Sequence, residues 1–181
     1  MKTSIEIEFK TLIDKDKYEE MIDAFDLREN IFYQTNFYFD TPDFKLRQNG
    51  MALRIRHRNN KYKLTLKRPK DNCLYEDSIV IPEEVALDYL QNGFNLKDFG
   101  MDYDVALKAN QETYRAVTPY KEGKLFFDQC NYANTTDYEI EYEADVYNTG
   151  LKLFHEFLND YQIKKTEIEH KIERVYKKFG L

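Results

Sequence analysis

Residues Ile5-Glu6-Ile7-Glu8-Phe9-Lys10 alternate strictly between apolar and charged side chains, the period of two that marks a β-strand. Ile5, Ile7 and Phe9 share one face; Glu6, Glu8 and Lys10 share the other. The same period returns seven more times. It is read in residues 30–39, halted by Asp40-Thr41-Pro42, and in 51–58, after a turn at Gln48-Asn49-Gly50. Asn59-Asn60 makes a hairpin into 61–69, and 73–82 comes next. Residues 111–120 and 124–130 form a second hairpin through Lys121-Glu122-Gly123, and 137–145 is the last clear strand. Between them the period changes to helical spacing. Asp14 caps a helix to about Phe25 with Tyr18, Ile22 and Phe25 on one side, and Pro82 opens another to about Asn92. Two further helices are predicted over 149–161 and 166–179, and 94–109 is predicted as a short helix and a loop.

Hairpin-linked strands are antiparallel, and eight of them can close into a barrel whose bore holds side chains or one small ligand. The expected fold is therefore α+β: an eight-stranded antiparallel closed β-barrel, or tunnel, with helices packed outside. Residues 1–181 are read as a single domain, because no linker or repeat interrupts the pattern. One face of each strand is apolar: Ile5, Ile7 and Phe9; Leu53 and Ile55; Leu64 and Leu66; Phe127; Ile140 and Tyr142. If amphipathic helices cover those faces, the charged faces point inward. A charged face turned to water is the ordinary reading for one strand of an open sheet. Its recurrence on strand after strand favours an enclosed one.

Charge sharpens the picture. The formal net charge is −6, which argues against general nucleic-acid affinity. Yet residues 44–70 hold ten basic residues and no acidic one, while residues 125–151 hold six acidic residues and no Lys or Arg. Arg54, Arg56 and Arg58 lie opposite Lys63, Thr65 and Lys67. Like charges so placed repel, which makes sense as a socket for a polyanion. Clustered carboxylates such as Glu6, Glu8, Glu139 and Glu141 need a neutralising cation, and hard oxygen ligands suit Mg²⁺ or Mn²⁺. No membrane-spanning run or leader is read, and Cys73 and Cys130 are isolated. A reduced, cytoplasmic protein is expected.

The motifs resemble those of the CYTH superfamily, the triphosphate tunnel metalloenzymes. Glu6-x-Glu8-x-Lys10 is similar to its ExExK signature. "YFDTPDFKLRQNGMALRIRHRNNKYKLTLKRP" resembles its YFDTP, LRxR and LTLK blocks in order. "ETYRAV", "LFFDQ", "EIEYEAD" and "HKIERVY" continue the likeness along the chain, closest to the small single-domain members of Gram-positive bacteria. The resemblance implies a triphosphate bound with divalent metal. It assigns metal ligation to Glu6, Glu8 and the acidic set Asp128, Glu139, Glu141 and Glu143, and phosphate binding to Arg54, Arg56, Lys67 and Arg115. Lys10 completes the signature, Lys63 is an added phosphate ligand, and Lys171 and Arg174 are a basic pair closing one mouth. Glu6, Glu8, Lys10 and Glu141 form the catalytic set.

The implied reaction is metal-dependent hydrolysis of inorganic tripolyphosphate or a small triphosphorylated compound. The same motifs also serve a class IV adenylate cyclase, which makes cyclic AMP and pyrophosphate from ATP, and a non-enzymatic triphosphate-binding protein. The partner is a small-molecule triphosphate, with no nucleic acid or membrane, and the chain is a monomer or homodimer. His57 is expected on an outward strand face, His155 and His170 on helices, and Asp40 as a cap for the turn after it.

Overall fold

The computed structural model describes residues 1–181. Nine strands lie in one antiparallel sheet, in the order β2-β3-β4-β5-β1-β9-β8-β7-β6, with a further pairing of β2 to β7. They are β1 (Lys2–Ile13), β2 (Phe32–Asp40), β3 (Ala52–Arg58), β4 (Lys61–Lys70), β5 (Cys73–Ile81), β6 (Phe94–Asn95), β7 (Asp104–Tyr120), β8 (Gly123–Tyr132) and β9 (Thr135–Ala144). Eight of them make a closed antiparallel β-barrel with helices outside, the expected α+β class. The helices are α1 (Lys15–Ala24), α2 (Lys45–Gln48), α3 (Glu83–Asn92), α4 (Tyr147–Asp160) and α5 (Lys171–Phe179).

Two compact units are distinguished, the first comprising residues 1–5, 34–111 and 171–181, the second 6–33 and 112–170. In the first, tight hairpins join β3 to β4 and β4 to β5 while β2 reaches β3 through α2, and Asn59 and Asn60 both take the positive φ that a two-residue turn of this hand needs. Its core gathers Phe39, Leu53, Ile55, Leu64 and Leu66 from the strands with Ala86 from α3 and Leu46 from α2. In the second, Phe9, Leu125, Phe127, Ile140 and Tyr142 pack with Tyr18, Met21 and Ile22 of α1 and Phe154, Phe157 and Leu158 of α4. In both units the helices cover the apolar strand faces, so the charged faces are those turned away from the helices. Ile5 departs from the pattern at 60% exposure.

Three expectations are corrected. The stretch 94–109 holds a two-residue strand, a 3-10 turn and the first six residues of β7. Phe94 pairs with Val105 and Asn95 with Asp104, so the backbone hydrogen bonds of a short hairpin set the structure where side-chain alternation is weak. The terminal helix begins at Lys171, five residues later than expected. Before it, the Thr166 N–H donates to the Thr11 hydroxyl on β1 at 2.9 Å, drawing that segment onto the strand instead of into a helical turn. His170 consequently precedes the helix. Asp14 caps α1 by accepting from the Lys17 N–H at 2.8 Å, as its position predicts.

Candidate metal and phosphate centre

The second unit concentrates carboxylates through strand register. On the face away from α1 and α4, Lys10 lies opposite Glu141 and Glu8 opposite Glu143. Asp128 lies opposite Glu139, and Arg115 opposite Asp128. Directly opposed residues in an antiparallel pair share a face, so four adjacent strands deliver their ionisable groups to one place. Asp128, Glu139 and Glu141 are buried and bring carboxylate oxygens within 4.8 Å of one another. The register of the last acidic strand, open from the sequence, is thereby fixed.

Arg115 holds this cluster together. Its Nε donates to Asp128 Oδ1 at 2.6 Å, while Nη2 donates to Asp128 Oδ2 at 2.5 Å and to Glu141 Oε2 at 2.6 Å. Burial alone would lower its pKa, but Asp128 and Glu141 outweigh burial and hold the guanidinium well above its usual range. Nη1 is left over: a fork with three hydrogens committed to carboxylates keeps one end for another acceptor. Lys10 donates to Glu8 at 2.8 Å and approaches His170 Nδ1 at 3.5 Å. Burial pulls the Lys10 ammonium down, while Glu8, Glu141 and Glu139 push it up and prevail.

Among Glu8, Asp128, Glu139, Glu141, Lys10 and Arg115, four negative charges meet two positive ones, a local sum of −2. A divalent cation balances that sum, and three buried carboxylates offer it hard oxygen donors of the kind Mg²⁺ and Mn²⁺ accept. The donor set therefore fits a metal. Glu6 and Glu143 are half-buried on the same strand faces, outside the tight carboxylate triplet.

The first unit concentrates the opposite charge. Arg54 faces Thr65 and Arg56 faces Lys63 across β3–β4, with Lys67 further along β4. Arg56 Nε donates to Asn36 Oδ1 at 3.0 Å. Glu76 on β5 accepts from Lys63 at 2.9 Å and lies 3.9 Å from Lys67. Burial raises the Glu76 carboxyl, but Lys67, Lys63 and Arg54 together hold it below the usual range. Sequence reasoning passed Glu76 over, although its alternation with Asp77 in "YEDS" carried the signal. Asp77 lies on the other face, with Thr3 and Arg68. That contact assigns Arg68 of the basic run to the outer surface.

Lys171 and Arg174 sit one turn apart on α5, both half-buried. The helix is anchored by Arg47 Nε donating to Glu173 at 2.8 Å and by the Tyr176 hydroxyl donating to the Phe39 carbonyl at 3.5 Å. Asp40 does cap the turn beyond it, accepting from the N–H groups of Thr41, Leu46 and Arg47 at 2.7 to 3.1 Å. His57 stacks on Tyr62 with ring centroids 4.4 Å apart, on the outward face.

Known proteins share this architecture. A Bacillus subtilis protein provisionally named the triphosphatase YjbK is 35% identical over 97% of this chain and 96% of its own length. A Bacillus halodurans crystal structure, provisionally named an adenylate cyclase, superposes with a TM-score of 0.91 at 30% identity, covering 97% of this chain and all of that one. A Hippeastrum adenylyl cyclase homologue, described as having a dominant triphosphatase activity, shares the fold at TM-score 0.74 and 23% identity, over 96% and 94% of the two chains. The CYTH domain profile matches residues 4–176, and with it the chain belongs to the CYTH family.

Proposed function

We propose that this protein hydrolyses a small triphosphate, inorganic tripolyphosphate or a triphosphorylated compound, in a reaction dependent on Mg²⁺ or Mn²⁺. The observation that carries the reading is the triplet Asp128, Glu139 and Glu141, buried with oxygens within 4.8 Å and only partly neutralised by Arg115 and Lys10. It supports the reading because a buried, unbalanced set of carboxylates is costly unless a cation is bound. The chain's 35% identity to a protein named for triphosphatase activity points the same way.

In this reading residues 1–181 act as one CYTH domain, in the cytoplasm, as a monomer or homodimer. Asp128, Glu139 and Glu141 hold the cation, with Glu6, Glu8 and Glu143 completing its surroundings directly or through water. The bound metal supplies charge neutralisation at phosphate oxygens and a more acidic water. Arg54 and Arg56 grip phosphate oxygens with two N–H groups each, and Lys63 and Lys67 act as point charges. Arg115 contributes through Nη1, the end its carboxylates leave over. Lys171 and Arg174 contact the far end of the chain of phosphates. Lys10 holds Glu8 in place. Phosphoryl transfer needs positioning and charge stabilisation instead of a protein nucleophile, which suits a site built from charged side chains.

The test is phosphate release from tripolyphosphate, measured colorimetrically with Mg²⁺, with Mn²⁺ and with a chelator, for wild type and Glu141→Gln. Release is expected only with metal, and Glu141→Gln should lower kcat about 10²- to 10³-fold, on the scale of other electrostatic stabilisers. Equal release by both proteins, or release that survives chelation, overturns the reading. With ATP as substrate, cyclic AMP and pyrophosphate in place of phosphate would assign the chain to the cyclase reaction, consistent with the name given to its Bacillus halodurans neighbour.

A further inference from the structure

Within the first unit, two buried nitrogen donors have no acceptor: Nε of Arg54 and Nε2 of Gln111. Gln111 is 1% exposed. A buried N–H without an acceptor keeps the whole desolvation cost of the group, and native structures hold few of them. The two share a neighbour. Tyr38 lies directly opposite Arg54 in the β2–β3 pairing, and its hydroxyl donates to Gln111 Oε1 at 3.0 Å. That bond fixes the carboxamide, committing its oxygen to Tyr38 and turning both hydrogens of Nε2 elsewhere. The neighbouring Arg56 shows the contrast. Its Nε is met by Asn36 at 3.0 Å, so an orphaned donor is not the rule on this face.

We propose that Gln111 is a substrate-binding residue, its amide N–H donating to a phosphate oxygen next to the one taken by Arg54, with Tyr38 as the residue that positions it. Both orphans donate, so the missing partner must accept from each, and the non-bridging oxygens of a phosphate chain offer several acceptors side by side. Gln111 adds direction without charge. The sequence gives no hint of it, because the basic and acidic blocks draw attention to charged positions alone. The proposal rests on the triphosphatase reading and adds a neutral contact to it.

The experiment is steady-state kinetics on tripolyphosphate with Mn²⁺ for wild type, Gln111→Met and Tyr38→Phe, with thermal melts in the absence of substrate. Gln111→Met keeps length but removes the donor. It should raise KM roughly 10- to 100-fold, the range for a hydrogen bond to a charged group, with kcat nearly unchanged. Its substrate-free Tm should stay close to that of wild type, because the unmet buried donor is lost together with the acceptor of the Tyr38 hydroxyl. Tyr38→Phe leaves the amide but frees it to rotate, and should raise KM by a smaller factor. Should Gln111→Met fail to fold, the KM of Tyr38→Phe decides alone. An unchanged KM in a folded variant, with wild type active, overturns the Gln111 contact and leaves the triphosphatase reading standing. A wild type that neither binds nor turns over tripolyphosphate overturns both.

Discussion

Arg115 is the side chain on which the acidic cluster depends. Its guanidinium gives two hydrogen bonds to Asp128 and one to Glu141, all in a buried setting. Removing one partner of a buried ionic set leaves uncompensated charge, typically at a cost of about 3–5 kcal/mol. Arg115→Met should therefore lower Tm by roughly 6–20 °C in chelator, at about 2–4 °C per kcal/mol for a chain of this size. Mn²⁺ should restore part of that loss, because Asp128, Glu139 and Glu141 would then be balanced by the metal. A melt shifted equally with and without Mn²⁺ would show that these carboxylates do not hold it. Glu76 gives a prediction in pH. Its carboxyl is held below the usual range by Lys67, Lys63 and Arg54 against the opposing effect of burial. A folded-state value below the unfolded one, about 4.3, means stability that is present above that value and is lost as pH falls through the folded one. The stability gap between wild type and Glu76→Gln, measured by urea unfolding, should thus be full at pH 7 and shrink below about pH 4. A gap constant with pH would remove the ionic explanation.

Among the elements, α2 is the smallest and still positions a larger one. Asp40 gathers the N–H groups of Thr41, Leu46 and Arg47, and α2 then presents Arg47 to Glu173 and to the Leu181 carbonyl. Asp40→Ala should cost about 2 kcal/mol as a lost cap, or roughly 4–8 °C in Tm. It should also speed amide exchange in residues 171–179 by tenfold or more. Loss of Tm without faster exchange in α5 would separate the cap from the helix it is said to hold. The elements also show what could be read in advance. β1, β3, β4 and β9 were legible because apolar and charged residues alternate along them without a break, and that period also placed Glu139, Glu141, Arg54 and Arg56 on the faces away from the helices. β6 and the start of β7 were not, because Ala106, Leu107 and Lys108 carry no clean period and pairing with Phe94 and Asn95 decides their form. The onset of α5 was misread because Thr166 is engaged by Thr11, more than 150 residues earlier, a contact no local window contains. Gln111 escaped for a related reason: its significance lies in Tyr38, on another strand.

At the scale of the whole molecule, a net charge of −6 conceals two opposed totals. The first unit holds 17 Lys and Arg against 12 Asp and Glu, a net of +5; the second holds 10 against 21, a net of −11. Charge of one sign within a compact body destabilises it through self-repulsion, so each unit gains from a ligand of the opposite sign. A polyanion relieves the first and a divalent cation the second. Ligands that bind only the folded chain add RT ln(1 + [L]/Kd), about 2.7 kcal/mol at a hundredfold excess over Kd, which is roughly 5–11 °C in Tm here. Melts should therefore rise by several degrees with Mn²⁺ alone and with tripolyphosphate alone in chelator. With both present, and a non-hydrolysable analogue in place of tripolyphosphate, the proposed function predicts a rise greater than the sum of the two, because there the cation and the polyanion favour each other's binding. Raising the salt concentration should weaken the tripolyphosphate effect more than the Mn²⁺ effect, because the arginines and lysines of β3 and β4 are the more exposed groups and exposed charges are screened first. Strictly additive shifts would mean that cation and polyanion bind independently, and would count against the proposed metal-dependent reaction.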